Sequence, residues 1–329
     1  MKPAVYYDEL EGDIVECLLC PHHCKLRHNQ VGLCGVRKNV NGMLYSLNYG
    51  RVTSLAMDPI EKKPIFHFHC GEDILSLGSW GCNFKCGFCQ NWEIAHSKPT
   101  TKLISPDQIV NMAVSNGSRG IAYTYNEPVV WFEFMLDTSR LATKEGLYNV
   151  VVTNGYIEEE PLNLLAQSVH AMNIDLKGFN DEFYLKECGG KKRVVMRTIE
   201  KALAKNVHVE VTTLIIPGKN DDLEELEEEF KWLASLDKDI PLHISRYFPH
   251  YKYDLPPTPV EKLVEIYELA RTYLNFVYLG NVWDPKYEST YCPDCGNLVI
   301  KREGYHVTLV GMTEDGRCTE CGRKIAKMY

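Results

Sequence analysis

The sequence predicts an α/β fold in which parallel strands alternate with helices and close into a full or partial β/α barrel. Three observations support this class. First, a series of short apolar segments has the length and composition of buried strands. These segments are residues 120–126, 149–155, 171–177, 208–217, 241–248 and 275–281. Second, segments with a helical pattern separate these strands. Third, about seven strand–helix units in roughly 210 residues match the size of a barrel.

A further apolar segment, DILSLGSWG at residues 73–81, precedes these strands and contains two glycines near its end. Its composition predicts a first barrel strand that leads into a turn. Barrels of this kind place their chemistry at the carboxyl ends of the strands. The residues that follow this strand are therefore candidates for the functional site.

Helical patterns fill the segments between the strands. They cover residues 106–117, 128–146, 159–168, 194–206 and 221–236. Ser105 stands immediately before the first of them and belongs to a residue type that caps helix amino termini. The last helix carries an apolar face made of Leu223, Leu226, Phe230 and Leu233. We expect the acidic residues of the same helix to face solvent.

The composition is that of an ordinary soluble globular protein. Of the 329 residues, 45% are hydrophobic and 24% are charged, which excludes a disordered or collagen-like chain. The 36 basic and 44 acidic residues give a formal net charge of −8, which argues against a general nucleic-acid binder. The first residues, MKPAVYYDELEGD, lack the features of a signal peptide, and no run of about 18 apolar residues occurs. We therefore expect a cytoplasmic protein without membrane contact.

The thirteen cysteines are the unusual feature of this composition. In a reducing compartment, clustered cysteines are more often metal ligands than disulfides. They form an amino-terminal quartet, a central trio and a carboxyl-terminal quartet, while Cys70 and Cys188 stand alone. The clusters differ in ligand number, and this difference separates closed structural sites from an open catalytic site.

The carboxyl-terminal quartet consists of Cys292, Cys295, Cys318 and Cys321. Its two CxxC pairs supply four thiolates, which close the tetrahedral shell of a structural zinc ion. A glycine follows each pair and allows a tight turn, and the residues between the pairs fit a hairpin. Residues 286–329 are therefore predicted to form a zinc-ribbon-like module.

The amino-terminal quartet consists of Cys17, Cys20, Cys24 and Cys34, within a cysteine-rich module predicted for residues 1–70. Its spacing is irregular, and four thiolates satisfy either zinc or a second iron–sulfur cluster. The histidines at positions 22, 23 and 28 are either substitute ligands or polar surface residues. We favour zinc, although the pattern allows both.

The central trio is Cys82, Cys86 and Cys89. Three thiolates leave one iron of a cubane cluster without a protein ligand, and an open coordination position is typical of catalytic metal sites. The pattern CxxxCxxC, with Phe88 before its third cysteine, resembles the cluster loop of the radical S-adenosylmethionine (SAM) enzymes. The resemblance implies a [4Fe–4S] cluster that binds SAM at its fourth iron and an oxidoreductase that forms a 5'-deoxyadenosyl radical. It also implies that Phe88 lies against the adenine or shields the cluster.

Polar residues at the predicted strand ends agree with this resemblance. In radical SAM enzymes the second strand usually ends in Gly-Gly-Glu-Pro, whereas residues 124–128 read TYNEP and depart at the glycines. The resemblance assigns Asn126 and Glu127 to the SAM amino group, because a carboxylate pairs well with an ammonium in a dry pocket. The residues that it places near the SAM carboxylate, the ribose or the substrate are Asn154, Asp175, Lys177 and His243. Alternatively, Lys177 is a solvated lysine and His243 a hydrogen-bonded structural histidine.

The resemblance extends from about residue 10 to about residue 285. It is closest to the radical SAM component of the AmmeMemoRadiSam system, a sister group of the pyruvate formate-lyase activating enzymes. The segments that carry it include LSLGSWGCNFKCGFCQNWEIAH, YTYNEPVVWFEF, IDLKGFNDEFY and LIIPGKND. It assigns residues 71–285 to the radical SAM barrel. It implies a reductant of the flavodoxin or ferredoxin type, with a protein of the same system as a candidate partner.

Two function classes follow from these patterns. The first is an enzyme whose deoxyadenosyl radical abstracts hydrogen from an unidentified substrate, either a small molecule or a partner protein that receives a glycyl radical. The second is a non-catalytic interaction protein in which all three cysteine clusters are structural and the carboxyl-terminal module binds nucleic acid or protein. The missing fourth ligand of the central trio favours the enzyme.

Four residues fall outside these clusters. His67 and His69 alternate as in a strand, with Cys70 on the other side, and either bind a metal or pack in the interior. Cys188 stands in KECGGKKR, beside glycines and basic residues, which fits a reactive thiol or a mobile surface loop.

Overall fold

The structure of the protein is a computed structural model that describes residues 1–328. Strands and helices alternate through most of this length. The strands are β1 (Lys2–Pro3), β2 (Tyr7–Leu10), β3 (Ile14–Cys17), β4 (Lys25–Leu26), β5 (Arg37–Val40), β6 (Met43–Ser46), β7 (Arg51–Val52), β8 (Ser54–Pro59), β9 (Asp73–Gly78), β10 (Lys102–Leu103), β11 (Gly120–Tyr123), β12 (Tyr148–Thr153), β13 (Ala171–Asp175), β14 (His208–Ile215), β15 (Leu242–Arg246), β16 (Val277–Gly280), β17 (Thr290–Tyr291), β18 (Leu298–Glu303) and β19 (His306–Leu309). The α-helices are α1 (Trp92–Ala95), α2 (Pro106–Ser115), α3 (Phe132–Lys144), α4 (Glu159–Leu165), α5 (Asp181–Phe183), α6 (Lys192–Ala204), α7 (Leu223–Leu236), α8 (Val260–Arg271) and α9 (Pro285–Glu288). Among the described residues, no helix is both long enough and apolar enough to span a membrane.

An eight-stranded sheet forms the centre of the molecule, in the order β16-β15-β14-β13-β12-β11-β9-β8. Strand β8 pairs antiparallel with β9, and every other neighbouring pair is parallel. Because β16 and β8 stand at the two edges, the sheet is an open, partial barrel. The predicted α/β fold is confirmed, and each predicted strand overlaps one of the parallel strands. The barrel sheet begins with β8, earlier in the chain than the boundary predicted at residue 71.

Helix α2 begins where the sequence predicts. The side chain of Ser105 accepts a hydrogen bond from the backbone N–H of Gln108 at 3.3 Å, and the Gln108 side chain accepts one from the Ser105 N–H at 2.9 Å. This reciprocal pair is a capping box, which satisfies two backbone donors that the first helical turn leaves without partners.

Helix α7 buries the face that its apolar residues predict, with Leu226, Phe230 and Leu233 in the core. The expectation that its acidic residues face solvent is wrong for Glu229. This side chain is buried against β14, where it accepts a hydrogen bond from the hydroxyl of Thr213 at 2.5 Å. Burial raises the pKa of Glu229 to about 8.

The amino-terminal strands form two small antiparallel sheets, β1-β6-β5 and β2-β3-β4. They cover the carboxyl ends of the first barrel strands. The indole of Trp131, which follows β11, donates a hydrogen bond to the carbonyl of Asn48 at 2.7 Å. The backbone N–H of Glu158, which follows β12, donates to the carbonyl of Leu19 at 3.1 Å. The amino-terminal quartet therefore lies at the end of the barrel where ligands bind in such folds.

Residues 64–69 cross the opposite end of the barrel. The backbone N–H groups of Phe66 and His67 donate to the Glu210 carboxylate at 2.8 and 2.7 Å, near the start of β14. The strand predicted through His67 and His69 is reduced to a single parallel bridge between Phe68 and Lys327. In this bridge the His67 carbonyl accepts from the Lys327 N–H at 2.8 Å and the His69 N–H donates to the Lys327 carbonyl at 2.9 Å. Both histidines are buried, which agrees with interior packing.

The carboxyl-terminal strands form an antiparallel sheet, β17-β18-β19, that packs beneath this segment. Hydrogen bonds join the His67 imidazole to the carbonyl of Ile325 and to the hydroxyl of Tyr278, both at 2.6 Å. The buried guanidinium of Arg302 donates to the carbonyl of Phe66 at 2.7 Å. The carboxyl-terminal quartet therefore belongs to a module at the amino ends of the barrel strands.

Candidate functional site

A cavity of about 410 Å³ opens at the carboxyl ends of the barrel strands. Its volume lies in the range of small-molecule sites, and it combines apolar walls with a limited number of polar groups. The residues that line it are Lys62, Lys63, Cys82, Phe84, Cys86, Phe88, Cys89, Gln90, Asn91, Ala95, His96, Thr124, Tyr125, Asn126, Glu127, Val152, Thr153, Asn154, Asp175, Lys177, Thr212, Leu214 and Ser245. The cavity thus gathers side chains from β9, β11, β12, β13, β14 and β15 or from the loops that follow them.

The central trio lies in the loop between β9 and α1. All three thiols line the cavity, and the side-chain amide of Asn154 lies 3.8 Å from the Cys82 sulfur. Ligand atoms around a single ion all lie within about 4.8 Å of one another. Among residues 1–328, no set of three ligand atoms drawn from this trio and its neighbours meets this condition. A [4Fe–4S] cubane places each cysteine sulfur on a different iron and so holds its ligands further apart. The trio and the open cavity beside it therefore fit such a cluster together with one further ligand.

A fourth thiol, that of Cys188, lies against the trio. Cys188 ends a short π-helix, is fully buried, and its carbonyl accepts a hydrogen bond from the backbone N–H of Lys85 at 2.8 Å. The hydrogen bond between the Cys188 and Cys86 thiols, together with burial, holds the pKa of Cys86 well above its ordinary value. The cavity is lined by Cys86 but not by Cys188, so the extra thiol stands behind the trio. The prediction of a mobile surface loop at Cys188 is wrong.

Asn126 and Glu127 join three strand ends. The Asn126 side chain accepts a hydrogen bond from the Ser79 N–H at 2.8 Å and donates to the Gly81 carbonyl at 3.0 Å. The Glu127 carboxylate accepts from the Thr153 hydroxyl at 2.6 Å and from a backbone N–H after β12 at 2.8 Å. Burial raises the pKa of Glu127 to about 7. Oε1 also accepts from the Val129 N–H at 3.0 Å, whereas Oε2 has one partner and can accept a second bond. Glu127 can therefore position the loops and also face a cationic group in the cavity.

Tyr125 occupies the place where the resembling enzymes carry a glycine. Its φ of 74° lies in the left-handed region, which costs a side-chain-bearing residue about 1–2 kcal/mol. The Tyr125 hydroxyl donates a short hydrogen bond to the Asp58 carboxylate, which also pairs with the Lys63 ammonium at 2.6 Å. Lys63 and Tyr125 line the cavity. Sequence patterns did not identify the interaction of Asp58, Lys63 and Tyr125, because Asp58 and Lys63 come from β8 and the turn that follows it.

Asp175 and Lys177 form a pair at the end of β13. The Lys177 ammonium lies 2.9 Å from an Asp175 carboxylate oxygen, and the Lys177 N–H donates to the Tyr184 hydroxyl at 2.9 Å. Burial alone would lower the pKa of Lys177, but the charges of Asp175 and of nearby Cys86 and Cys188 hold it well above its ordinary value. Lys177 is therefore a fixed cation at the cavity wall and not a freely solvated lysine.

His243 is the one predicted cofactor-binding residue that does not line the cavity. Its imidazole is buried and hydrogen-bonded to the Glu210 carboxylate at 2.6 Å, deeper in the barrel. Ser245, two residues further along β15, lines the cavity instead. The placement of His243 near SAM or substrate is therefore corrected, and the alternative of a hydrogen-bonded structural histidine describes it. Phe88 does line the cavity, and its ring packs against the ring of Phe183.

The two cysteine quartets differ in the spacing of their sulfurs. In the carboxyl-terminal quartet, the Cys292 and Cys321 sulfurs lie 3.5 Å apart and those of Cys295 and Cys318 lie 3.6 Å apart. Among residues 1–328, these four form the one group of three or more His, Cys, Asp or Glu ligand atoms that all lie within 4.8 Å of one another. The amino-terminal quartet instead lines a second, smaller cavity. The carboxyl-terminal group therefore has the geometry of a site for one metal ion.

Comparison with known proteins gives concordant results. The family model described as the radical SAM superfamily matches residues 79–233. An uncharacterized protein of Methanocaldococcus jannaschii is 44% identical, with 99% of each chain covered. A second protein of that organism, named provisionally a glycyl-radical enzyme activating enzyme, is 31% identical over 63% of this chain and 80% of its own length. The crystal structure of Streptococcus suis SuiB bound to S-adenosylmethionine shares the fold, with a TM-score of 0.52, 15% identity, and 68% of this chain and 53% of that chain covered.

Proposed function

The chain belongs to the radical SAM superfamily, and from this premise we propose that the cavity at the central trio is where SAM and substrate meet. Cys82, Cys86 and Cys89 are the proposed ligands of a [4Fe–4S] cluster. When bound, the cluster and SAM supply reductive cleavage to methionine and a 5'-deoxyadenosyl radical that abstracts hydrogen from the substrate. The observation that carries the proposal is that the three thiols and the polar strand ends line one cavity.

The surrounding residues have distinct proposed roles. Glu127 is charged above its pKa of about 7 and faces the ammonium group of SAM, while Asn126 holds the loops after β9 and β11 together. Lys177, kept cationic by Asp175, is placed to meet a carboxylate, and Asn154 orients the loop at Cys82. Phe88 shields this region from water, which strengthens each of these polar interactions.

The substrate class has two candidates. The first is a molecule that enters the cavity directly, which is favoured by the position of the extra cysteines at both ends of the barrel instead of after its first strand. The second is a partner protein that receives a glycyl radical, and the name of the relative that is 31% identical favours it. Membership of an enzyme superfamily supports both of these over a non-catalytic protein with three structural metal sites. A flavodoxin- or ferredoxin-type reductant and a cytoplasmic location complete the proposal.

We assign zinc to the carboxyl-terminal quartet. Four sulfurs at about 2.3 Å from one tetrahedral ion stand roughly 3.8 Å apart. The 3.5 and 3.6 Å separations of the two measured pairs are close to that value. The module lies at the amino ends of the barrel strands, so the proposed role of this zinc is to hold the module folded.

The test of the proposed function is SAM cleavage by the full chain. The protein is reconstituted anaerobically with iron and sulfide, reduced in the presence of SAM, and assayed for 5'-deoxyadenosine with and without candidate partners. We expect Cys86→Ala to abolish the product. Cys70→Ala is the matched control, because Cys70 is also buried but lies outside the cavity, and we expect it to retain cleavage. Absence of 5'-deoxyadenosine from the reduced, cluster-loaded protein would refute the proposal.

A further inference from the structure

The four cysteines of the amino-terminal quartet surround a small cavity of their own. The residues that line it are Cys17, Leu19, Cys20, His22, Cys24, Gly32, Leu33, Cys34, Arg37, Asn83, Val129 and Val130. Cys17 and Cys34 are buried, and Cys20 and Cys24 are partly exposed. Four thiols that converge on one enclosed space indicate a bound inorganic centre in a chain without disulfides among its described cysteines.

The spacing of these sulfurs does not fit a single ion. Four thiolates around zinc stand roughly 3.8 Å apart, as the carboxyl-terminal quartet does. Within residues 1–328, however, no three ligand atoms of the amino-terminal quartet come within 4.8 Å of one another. The three sulfurs of the central trio also do not all come within 4.8 Å of one another. Because a cubane places each thiolate on a separate iron and so holds its ligands further apart than one ion does, the arrangement of the amino-terminal quartet favours an iron–sulfur site.

Arg37 gives a second indication of an anionic centre. Its side chain lines the cavity and is fully buried, and one N–H group pairs with the Glu133 carboxylate at 2.6 Å. The Nε and Nη2 groups have no hydrogen-bond acceptor among residues 1–328. A buried donor without an acceptor costs about 1–3 kcal/mol. The sulfurs of an iron–sulfur cluster would supply acceptors for these donors, and such bonds are known to adjust the reduction potential of a cluster.

The quartet also lies next to the loop of the central trio. The His22 imidazole is hydrogen-bonded to the carbonyl of Asn83 at 2.7 Å, and Asn83 directly follows Cys82. A Cβ atom at Gly81 would lie 2.7 Å from the carbonyl of Cys34, so only glycine allows this close approach of the two loops. On its other side the quartet reaches the surface, where Cys24 and Gly32 border an open hollow. The quartet therefore stands between solvent and the catalytic cavity.

We propose that Cys17, Cys20, Cys24 and Cys34 bind a second [4Fe–4S] cluster that passes electrons to the cluster at the central trio. The proposal rests on the proposed function, because the receiving cluster is the one that cleaves SAM. A low-potential donor protein of the flavodoxin or ferredoxin class gives one electron to the second cluster at the surface. That electron then moves to the catalytic cluster, so each cluster is reduced and reoxidised by one electron and no bond or proton is transferred.

Metal content tests the site. We expect the anaerobically reconstituted full chain to bind about eight irons and one zinc, since each [4Fe–4S] site holds four irons. The double variant Cys20→Ser/Cys24→Ser should lose about four irons and keep its zinc, whereas Cys70→Ser should lose neither. A variant that loses zinc with iron unchanged would overturn the proposal. If the double variant does not fold, Cys82→Ala/Cys86→Ala gives the answer: it should keep about four irons and an electron paramagnetic resonance signal that SAM does not alter.

The route of the electron is tested by changing the reductant. With a flavodoxin-type donor, we expect 5'-deoxyadenosine formation by Cys20→Ser/Cys24→Ser to fall at least about tenfold. With a small chemical reductant that reaches the catalytic cluster directly, the rate should stay within about threefold of the parent protein. Equal losses, or no loss, with both reductants would overturn the transfer role. If no form of the protein cleaves SAM but the quartet still binds four irons, the proposed function fails and the second cluster stands.

Discussion

The two cysteine quartets have the same number of ligands but different positions and spacings. The carboxyl-terminal quartet holds its paired sulfurs 3.5 and 3.6 Å apart, on a module at the amino ends of the barrel strands. In the amino-terminal quartet no three sulfurs come within 4.8 Å of one another, and this quartet lies beside the loop of the central trio, at the other end of the barrel. The difference teaches that ligand count alone does not identify a metal centre. The proposed zinc ion and the proposed second cluster differ in the arrangement of their ligands and in their distance from the cavity.

The same comparison extends to how each module is attached. The amino-terminal module contributes Arg37, which pairs directly with Glu133 of the barrel at 2.6 Å. The carboxyl-terminal module contributes Arg302, whose Nε lies 3.9 Å from the Glu61 carboxylate. All four side chains are buried. Each module thus brings one cation to a buried carboxylate, but only the amino-terminal pair is in direct hydrogen-bond contact.

The largest predicted difference concerns loss of the zinc site. Cys295→Ser/Cys321→Ser should release zinc and unfold the carboxyl-terminal strands, because structural zinc contributes about 10–16 kcal/mol to the folding of small zinc modules. SAM cleavage with a chemical reductant should stay within about threefold, since the module lies away from the cavity. Zinc analysis, limited proteolysis and the 5'-deoxyadenosine assay check this. Abolished cleavage in a protein whose barrel remains folded would contradict the separation of the two ends.

Smaller effects are expected from the two buried arginines. Arg37→Met leaves the buried Glu133 carboxylate without its paired cation, which costs about 3–5 kcal/mol of unfolding free energy. Arg302→Met removes the hydrogen bonds to the Thr290 hydroxyl and the Phe66 carbonyl, which costs about 1–3 kcal/mol. Double-mutant cycles with Glu133→Gln and Glu61→Gln separate the two cases. We expect a coupling of about 1–3 kcal/mol for the direct Arg37 pair and less than about 1 kcal/mol for the Arg302 pair. Anaerobic urea unfolding measures these values, and the reverse order would show that the contact distances do not set the coupling.

The smallest effect is a pH dependence at the carboxyl-terminal module. Burial lowers the pKa of His67 to about 4, against the opposing influence of Glu210, whereas an unfolded histidine titrates near 6.5. The neutral, buried His67 therefore contributes stability that is complete above pH 6.5 and is lost as the pH falls toward 4. The shift corresponds to about 3 kcal/mol. His67→Gln should flatten the stability profile in this window, while His28→Gln at the surface should not. Parallel profiles for His67→Gln and the parent protein would contradict this account.

The fold could be predicted from the sequence because it depends on local periodicity. Buried parallel strands appear in the sequence as short apolar segments, and the helices between them carry an apolar face or a capping residue such as Ser105. Glu229 was placed wrongly for the same reason. Its helix is acidic along the chain, but a single carboxylate faces inward to the Thr213 hydroxyl of β14, which no local pattern reveals.

The lining of the cavity could be predicted where its residues stand in local motifs. The central trio, Asn126 and Glu127, and the pair of Asp175 and Lys177 stand at or shortly after the end of a strand, and all line the cavity. Residues brought in by long-range contacts were missed or misplaced. Asp58 reaches Tyr125 from the edge strand, Cys188 reaches Cys86 from a distant helix, and His243 is held away from the cavity by Glu210.

The arrangement of the four sulfurs in the amino-terminal quartet also depends on long-range contacts. CxxCxxxC followed by a fourth cysteine is compatible with zinc or a cluster, and zinc is the ion that we predict from the sequence alone. The sulfur separations depend on how β3 and the following loops fold against Asn83 and Arg37. The order of the cysteines along the chain does not determine these sulfur–sulfur distances.

The most direct test of the central contrast is anomalous X-ray scattering at the iron and zinc absorption edges, on crystals of anaerobically purified protein. We predict iron at the central trio, iron at Cys17, Cys20, Cys24 and Cys34, and zinc at the carboxyl-terminal quartet alone. Zinc at the amino-terminal quartet would contradict the assignment of a second cluster, and absence of iron from the central trio would contradict the account of the catalytic site.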